Sequence, residues 1–111
     1  MSSIPLNCKE KEMYYTYIIR CKDNTLYTGY TSDISRRMKE HEKGINSKYT
    51  KAKGFHKLEV FFQCSSRSKA MKLESFIKKQ CRNKKFWIIS NPDLFIEELE
   101  YKDEVRVGVL E

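Results

Sequence analysis

The sequence predicts a small α/β protein of three strands flanked by helices, and three observations predict it. Residues 14–21 and 25–30 are rich in Tyr, Ile and Thr and are separated by a short polar cluster of turn formers, the pattern of a β-hairpin. Two later stretches, residues 34–41 and 70–81, repeat apolar residues at helical spacing. Between them residues 58–64, with Val60, Phe61 and Phe62, read as a third strand. The chain of 111 residues, 40% hydrophobic and 13% aromatic, holds one small core and is too short for two.

Each element has its own local signals. The hairpin joins the strand containing Tyr15, Thr16 and Tyr17 to the strand containing Tyr27, Thr28 and Gly29. The first helix begins near Thr31 or Ser32, either of which can cap it, with Asp33 in the first turn where the helix dipole favours a carboxylate. It ends around Lys43 and Gly44, the glycine acting as a C-terminal stop. Residues 45–57 read as a polar, basic loop. Ser65 and Ser66 offer caps for a second helix running to about Cys81, and a shorter helical turn over residues 84–89 ends before Asn91 and Pro92. The tail, residues 95–110, reads either as a helix followed by a strand or as a hairpin turning at Lys102 and Asp103, and its acidity suits folding against a basic body.

Composition narrows the function classes. Residues 33–85 hold 16 Lys or Arg against 5 Asp or Glu, a local charge of +11, whereas residues 86–111 carry −5; the whole chain is +7. Such a concentrated basic block suits a polyanion such as DNA or RNA, whose binding is driven largely by displaced counterions. No apolar run approaches the roughly 20 residues of a membrane helix, and the polar stretch 1–12 does not read as a signal peptide. The expectation is a cytoplasmic protein with no membrane association and no obligate protein partner. Cys8, Cys21, Cys64 and Cys81 are scattered without a C-x-x-C pair, which argues against a zinc site and for reduced, mostly buried thiols.

The pattern breaks at two places. The stripe of the first helix that should face the core reads Ile34, Arg37, Met38, His41, while Arg36, Lys39, Glu40 and Lys43 fall on other faces. The stripe of the second reads Ala70, Leu73, Glu74, Ile77, Cys81, with Phe76 flanking. Charged groups persist on such stripes when they pair, bind an ion or line a cleft. One outcome is bland: a buried Arg37–Glu74 salt bridge, or long side chains snorkelling out at the edge of the stripe. The other is a site: Glu74 can hold a hard cation such as Mg²⁺, Arg37 can grip phosphate oxygens with its planar fork, and a tyrosine becomes a base where cations lower its pKa.

These residues resemble the GIY-YIG nuclease domain, in particular its small stand-alone bacterial type. The likeness runs over residues 13–89 and rests on Tyr17, on Tyr27-Thr-Gly-x-Thr, on Arg37 and His41 in the following helix, on Lys48-Tyr-Thr, and on Ser-Arg-Ser-Lys-Ala leading to Glu74. It implies a small α/β sandwich around a three-stranded antiparallel sheet, followed by an acidic C-terminal extension, residues 90–111. It further implies a metal-dependent endonuclease acting on DNA or RNA, with Tyr17 and Tyr27 as paired active-site tyrosines and Arg37 as the phosphate-binding arginine. Glu74 would be the ligand of one divalent cation, Mg²⁺ or another, with His41 and Tyr49 accessory. Lys48, Lys51 and Lys53 are the expected nucleic-acid contacts. The first tripeptide is Tyr-Thr-Tyr, the second lacks its isoleucine, and the asparagine that several family members carry after the glutamate has Asn83 too early and Asn91 somewhat late. The alternative is a nucleic-acid-binding module that keeps the architecture and cleaves slowly or not at all.

One geometric test follows. A four-residue loop, residues 22–25, would place Tyr17 and Tyr27 on opposite faces of the hairpin, since side chains alternate. A shared site therefore requires an odd-numbered loop, or a bulge near Gly29.

Overall fold

The computed structural model describes residues 13–109; the polar stretch 1–12, with Cys8, lies outside them. Strands β1 (Tyr14–Cys21) and β2 (Leu26–Thr31) form the hairpin, followed by helices α1 (Ile34–Lys43) and α2 (Lys48–Lys53). Strand β3 (Phe55–Cys64) leads into α3 (Arg67–Lys78), α4 (Arg82–Ser90) and α5 (Pro92–Glu97), and a 3₁₀ turn (Lys102–Glu104) precedes β4 (Val105–Val107). The sheet is antiparallel in the order β2-β1-β3-β4.

The sheet therefore has four strands, not three. The tail takes the helix-then-strand course: Val105 pairs with Cys64 and Val107 with Phe62, and the Ser65 N–H donates to the Glu104 carbonyl at 3.0 Å. Phe95, Ile96, Leu99 and Val105 join Ile18, Phe62, Leu73, Ile77 and Ile88 in one apolar cluster. Burial of those four side chains, at about 1.5–3 kcal/mol each, holds the tail down more firmly than its surface ion pairs Lys84–Glu98 and Lys69–Glu104.

The hairpin resolves the question of register. Tyr17 pairs with Gly29 and Ile19 with Tyr27. The Asn24 N–H donates to the Cys21 carbonyl and the Cys21 N–H to the Thr25 carbonyl, both at 2.9 Å, leaving the three residues Lys22, Asp23 and Asn24 in the loop. Asn24 adopts φ 72°, the left-handed position that such loops need and that asparagine tolerates. Asp23 locks the turn by accepting from the Thr25 N–H at 3.1 Å and the Thr25 hydroxyl at 2.6 Å. With an odd loop, Tyr17 and Tyr27 stand on one face, two residues apart diagonally.

The two faces of the sheet carry different loads. Tyr17, Ile19 and Phe61 pack with Ile34 and Met38 of α1. The other face carries α3 and the tail. Asp33, expected inside the first turn, is itself the N-cap of α1, accepting from the Arg36 N–H at 3.1 Å. Gly44 at φ 70° ends α1 with its N–H on the Glu40 and His41 carbonyls. The expected basic loop contains α2, capped by Ser47. α3 stops at Lys78, so Cys81 falls beyond it and is exposed; Cys21 and Cys64 are buried as expected.

Candidate active site

The site is built on the α1 face of the hairpin. Tyr17, 1% exposed, lays its ring across Gly29 of the neighbouring strand, where a Cβ would come within 2.6 Å of its hydroxyl oxygen. Glycine is required there because the ring occupies the side-chain space. The rings of Tyr17 and Tyr27 lie 6.5 Å apart, and each meets the imidazole of His41 edge-on, at 5.5 and 5.8 Å.

Three hydrogen bonds converge here. Arg37 Nε donates to the Tyr17 hydroxyl at 3.2 Å, His41 Nε2 lies 2.9 Å from the same oxygen, and His41 Nδ1 lies 3.0 Å from Thr50 Oγ1. The stripe residues Arg37 and His41 thus turn inward to one tyrosine, and the bland outcome of an Arg37–Glu74 bridge does not form. Arg37 pairs instead with Glu40, Nη1 to Oε1 at 2.8 Å. By helical periodicity Glu40 falls on another face than the apolar stripe, and its (i, i+3) spacing from Arg37 is the signal that finds it. Between Tyr17 and Glu40 the guanidinium is oriented through Nε and Nη1, with Nη2 unpartnered among the described residues.

Electrostatics follow from burial. Burial pushes the Tyr17 hydroxyl up to about 12, although its hydrogen bond to Arg37 pulls the other way. Burial, and next the Arg37 charge, hold His41 down to about 4. Near neutral pH both groups are uncharged beside a permanent cation.

Glu74 arrives from the opposite layer. α3 packs on the other face but runs alongside edge strand β2, and Lys78, paired with Glu74, reaches toward Tyr27. Lys78 Nζ lies 3.4 Å from Glu74 Oε2 and 6.0 Å from the centre of the Tyr27 ring, and the Glu74 charge weighs on Tyr17. Thr16 helps set this height: fully buried, it donates its hydroxyl to the Ala70 carbonyl of α3 at 2.8 Å. The threonines of the two tripeptides, Thr16 and Thr28, are both buried in the sheet.

The Tyr49 ring lies 4.9 Å from that of Tyr27, tilted by 30°, and Lys53 lies 5.6 Å over the Tyr49 ring while pairing with Asp23 at 3.0 Å. Lys48 and Lys51 are exposed on the same short helix. Asn91 donates to the Trp87 carbonyl at 3.1 Å, ending α4, and Asn83 is exposed. Thr50, which the sequence places in the Lys48-Tyr-Thr run without a role of its own, is 2% exposed.

Among the described residues no three His, Cys, Asp or Glu side chains gather as a metal cluster. The donors present are hard: one carboxylate, Glu74, whose charge is felt at Tyr17, with both nitrogens of His41 engaged. That set fits a largely hydrated cation such as Mg²⁺, which takes one or two protein carboxylates and keeps several waters. No described helix is long and apolar enough to cross a membrane.

The family model of the GIY-YIG catalytic domain matches residues 13–86. The UPF0213 protein FN1575 of Fusobacterium nucleatum is 44% identical over 94 residues, covering 85% of this chain and 94% of its own. The UPF0213 protein CPE1444 of Clostridium perfringens is 39% identical over 95 residues, 86% of this chain and all of its own. The solution NMR structure of the UPF0213 protein BH0048 from Bacillus halodurans, 36% identical, covers 82% of this chain and 92% of that one at a TM-score of 0.47. With matching residues running from strand β1 into helix α4, this chain belongs to the GIY-YIG catalytic domain family, a nuclease superfamily, and its relatives are the small UPF0213 proteins.

Proposed function

We propose that the protein is a divalent-metal-dependent endonuclease that hydrolyses phosphodiester bonds of DNA or RNA. The observation that carries the reading is the Tyr17 hydroxyl held between the Arg37 guanidinium at 3.2 Å and the neutral His41 at 2.9 Å. Of the two tyrosines, Tyr17 is the one whose hydroxyl has a proton acceptor in place. Water attacking phosphorus gives its proton to Tyr17 as Tyr17 passes its own to His41 Nε2. The bond to the leaving oxygen breaks, and that oxygen takes a proton from solvent. A phosphate docked on Arg37 offsets the guanidinium charge that helps hold His41 down, which makes the imidazole a better acceptor. Arg37, oriented by Glu40, opposes the charge that grows on the phosphoryl oxygens. Glu74 would hold the cation, which when bound supplies Lewis-acid stabilisation of that charge and lowers the pKa of bound water. Tyr49 with Lys48, Lys51 and Lys53 supplies stacking and backbone contacts beside the site.

The test is incubation of purified protein with single-stranded, duplex and branched DNA and RNA, in Mg²⁺ or EDTA, beside Glu74→Ala and Tyr17→Phe. Metal-dependent internal cleavage lost in both variants supports the reading. Binding without cleavage, unchanged by either substitution, would leave a nucleic-acid-binding module instead.

A further inference from the structure

The geometry points to Arg67 and Tyr30 as a second phosphate subsite, one that takes a backbone phosphate of the cleaved DNA or RNA strand on the flank of the cut away from α2. The inference rests on the nuclease reading, which puts the reacting phosphate beside Arg37 and Glu74 and one flank of the strand on α2. A strand so held needs support on its other flank, and α3 borders it. Arg67, Met71, Glu74 and Lys78 recur at helical spacing and form one stripe of α3. The two ends of the stripe meet edge strand β2: Arg67 Nη2 donates to the Tyr30 hydroxyl at 3.4 Å, and Lys78 Nζ lies 6.0 Å from the centre of the Tyr27 ring. The stripe therefore runs antiparallel to β2. Its Lys78 end lies at Tyr27, beside Tyr49 of α2, and its Arg67 end lies at Tyr30. Arg67 precedes Glu74 by two helical turns, about 10 Å along the axis.

The chemistry of the pair fits phosphate. Arg67 donates to the Tyr30 oxygen, which leaves the Tyr30 hydroxyl hydrogen and the other guanidinium N–H groups to be given elsewhere. None of these hydrogens has a partner among the described residues. Its helix neighbours Lys69 and Lys78 pair with Glu104 and Glu74, whereas Arg67 takes no carboxylate among the described residues. A ligand that only accepts, and does so through several oxygens, matches a set of groups that only donate. The pair is also held in place. Tyr30 pairs with Thr16 in the sheet and packs against the core cluster, and Thr16 in turn donates to the Ala70 carbonyl at 2.8 Å, fixing the first turn of α3 on the strands. Ser66 caps that turn by accepting from the Lys69 N–H at 3.2 Å. Between Arg67 and Glu74 the stripe carries Met71, an apolar side chain left 44% exposed. Its thioether chain offers a soft surface to the sugar or base that spans the two phosphates.

The experiment uses the full chain as wild type, Arg67→Ala, Tyr30→Phe and, as a control on the outer face of α3, Lys72→Ala, whose ammonium lies 4.8 Å over the Tyr101 ring. Affinity for single-stranded DNA and RNA oligonucleotides of matched sequence is measured in EDTA across a salt series. Arg67→Ala should weaken binding by about 3–10-fold at low salt and lower the slope of log affinity against log salt by about 0.7. Tyr30→Phe should weaken binding by less and keep the slope, and Lys72→Ala should leave the slope as it is. In Mg²⁺, end-labelled strands carrying one neutral methylphosphonate linkage locate the contact. The wild type should cut poorly at the bond lying a fixed number of nucleotides from that linkage, and Arg67→Ala should lose this dip while keeping the one at the neutral linkage itself. An Arg67→Ala protein with the wild-type slope or the wild-type cutting pattern, or a Lys72→Ala protein with the same loss of slope, would overturn the inference. The slope needs no cleavage, so an inactive protein whose Arg67→Ala variant shows the lowered slope would refute the nuclease reading alone. An active protein whose Arg67→Ala variant binds and cuts as the wild type does would refute the Arg67 subsite alone, and a protein that binds neither strand would refute both.

Discussion

Gly29 lies directly opposite Tyr17 across the hairpin, and a methyl group at Gly29 would sit 2.6 Å from the Tyr17 hydroxyl oxygen and 2.8 Å from its ring carbon Cζ. The ring cannot slide away freely, because its hydroxyl is held by Arg37 and His41. Gly29→Ala should therefore cost about 1–3 kcal/mol of stability by overpacking and displace the hydroxyl from both partners. Denaturant midpoints and cleavage rates measured together check this; full activity at wild-type stability would show that the ring has room the structure denies.

Tyr17→Phe and Tyr27→Phe should separate. The first leaves a buried imidazole nitrogen and a guanidinium N–H without their shared partner, an expected cost of about 1–3 kcal/mol, and removes the base, an expected loss of 10²–10⁴-fold in kcat to order of magnitude. Tyr27 is only half-buried, so its variant should lose less stability. Equal effects in both assays would contradict the assignment of Tyr17.

Glu74→Gln keeps the shape of a side chain that is 22% exposed and removes its charge. The expected outcome is a stability change within about 0.5 kcal/mol and a loss of divalent-cation dependence, read by titrating Mg²⁺ in the cleavage assay and by the enhancement of water relaxation with Mn²⁺. Undiminished cation binding would place the ligand elsewhere.

Acid should weaken the fold through His41. An unfolded imidazole titrates near 6.5 and the buried one at about 4. Between those values the unfolded chain takes up a proton that the folded chain refuses. The stability associated with neutral His41 is therefore complete above the upper value, is lost as the pH falls toward the lower one, and changes no further below it. The total is on the order of 3 kcal/mol. Unfolding at about pH 7 and about pH 4.5, in wild type and His41→Gln, tests it: the variant should show the shallower pH dependence.

Binding to a nucleic acid should lose salt dependence unequally. Lys51 is exposed and free of ion pairs among the described residues, whereas Lys53 already spends its charge on Asp23 at 3.0 Å. Lys51→Ala should lower the slope of log affinity against log salt by about 1, and Lys53→Ala by less. A larger change at Lys53 would mean that Asp23 releases it on binding.

Much of this site is legible in the chain because it announces itself as local violations. Arg37, His41 and Glu74 stand on stripes that should be apolar, and the parity of the hairpin loop can be posed as a question before any coordinate is known. The short helix α2 escapes for a physical reason: six residues give less than two turns, too few for periodicity to rise above a polar background. A strand in the tail is one of the two readings the sequence offers; that it becomes the fourth strand of the sheet escapes because its three residues pair with Phe62, Gln63 and Cys64, some forty positions earlier in the chain.

The sequence by itself determined the hairpin, the main helices, the two tyrosines and the charged residues that accompany them, since periodicity and turn chemistry act over a few residues. Only the tertiary structure decided which partners those residues take. It set Arg37 against Glu40 instead of Glu74, His41 against Thr50, and the acidic tail into the core through Phe95, Leu99 and Val105. Those choices depend on distances between layers, which packing establishes and no local pattern encodes.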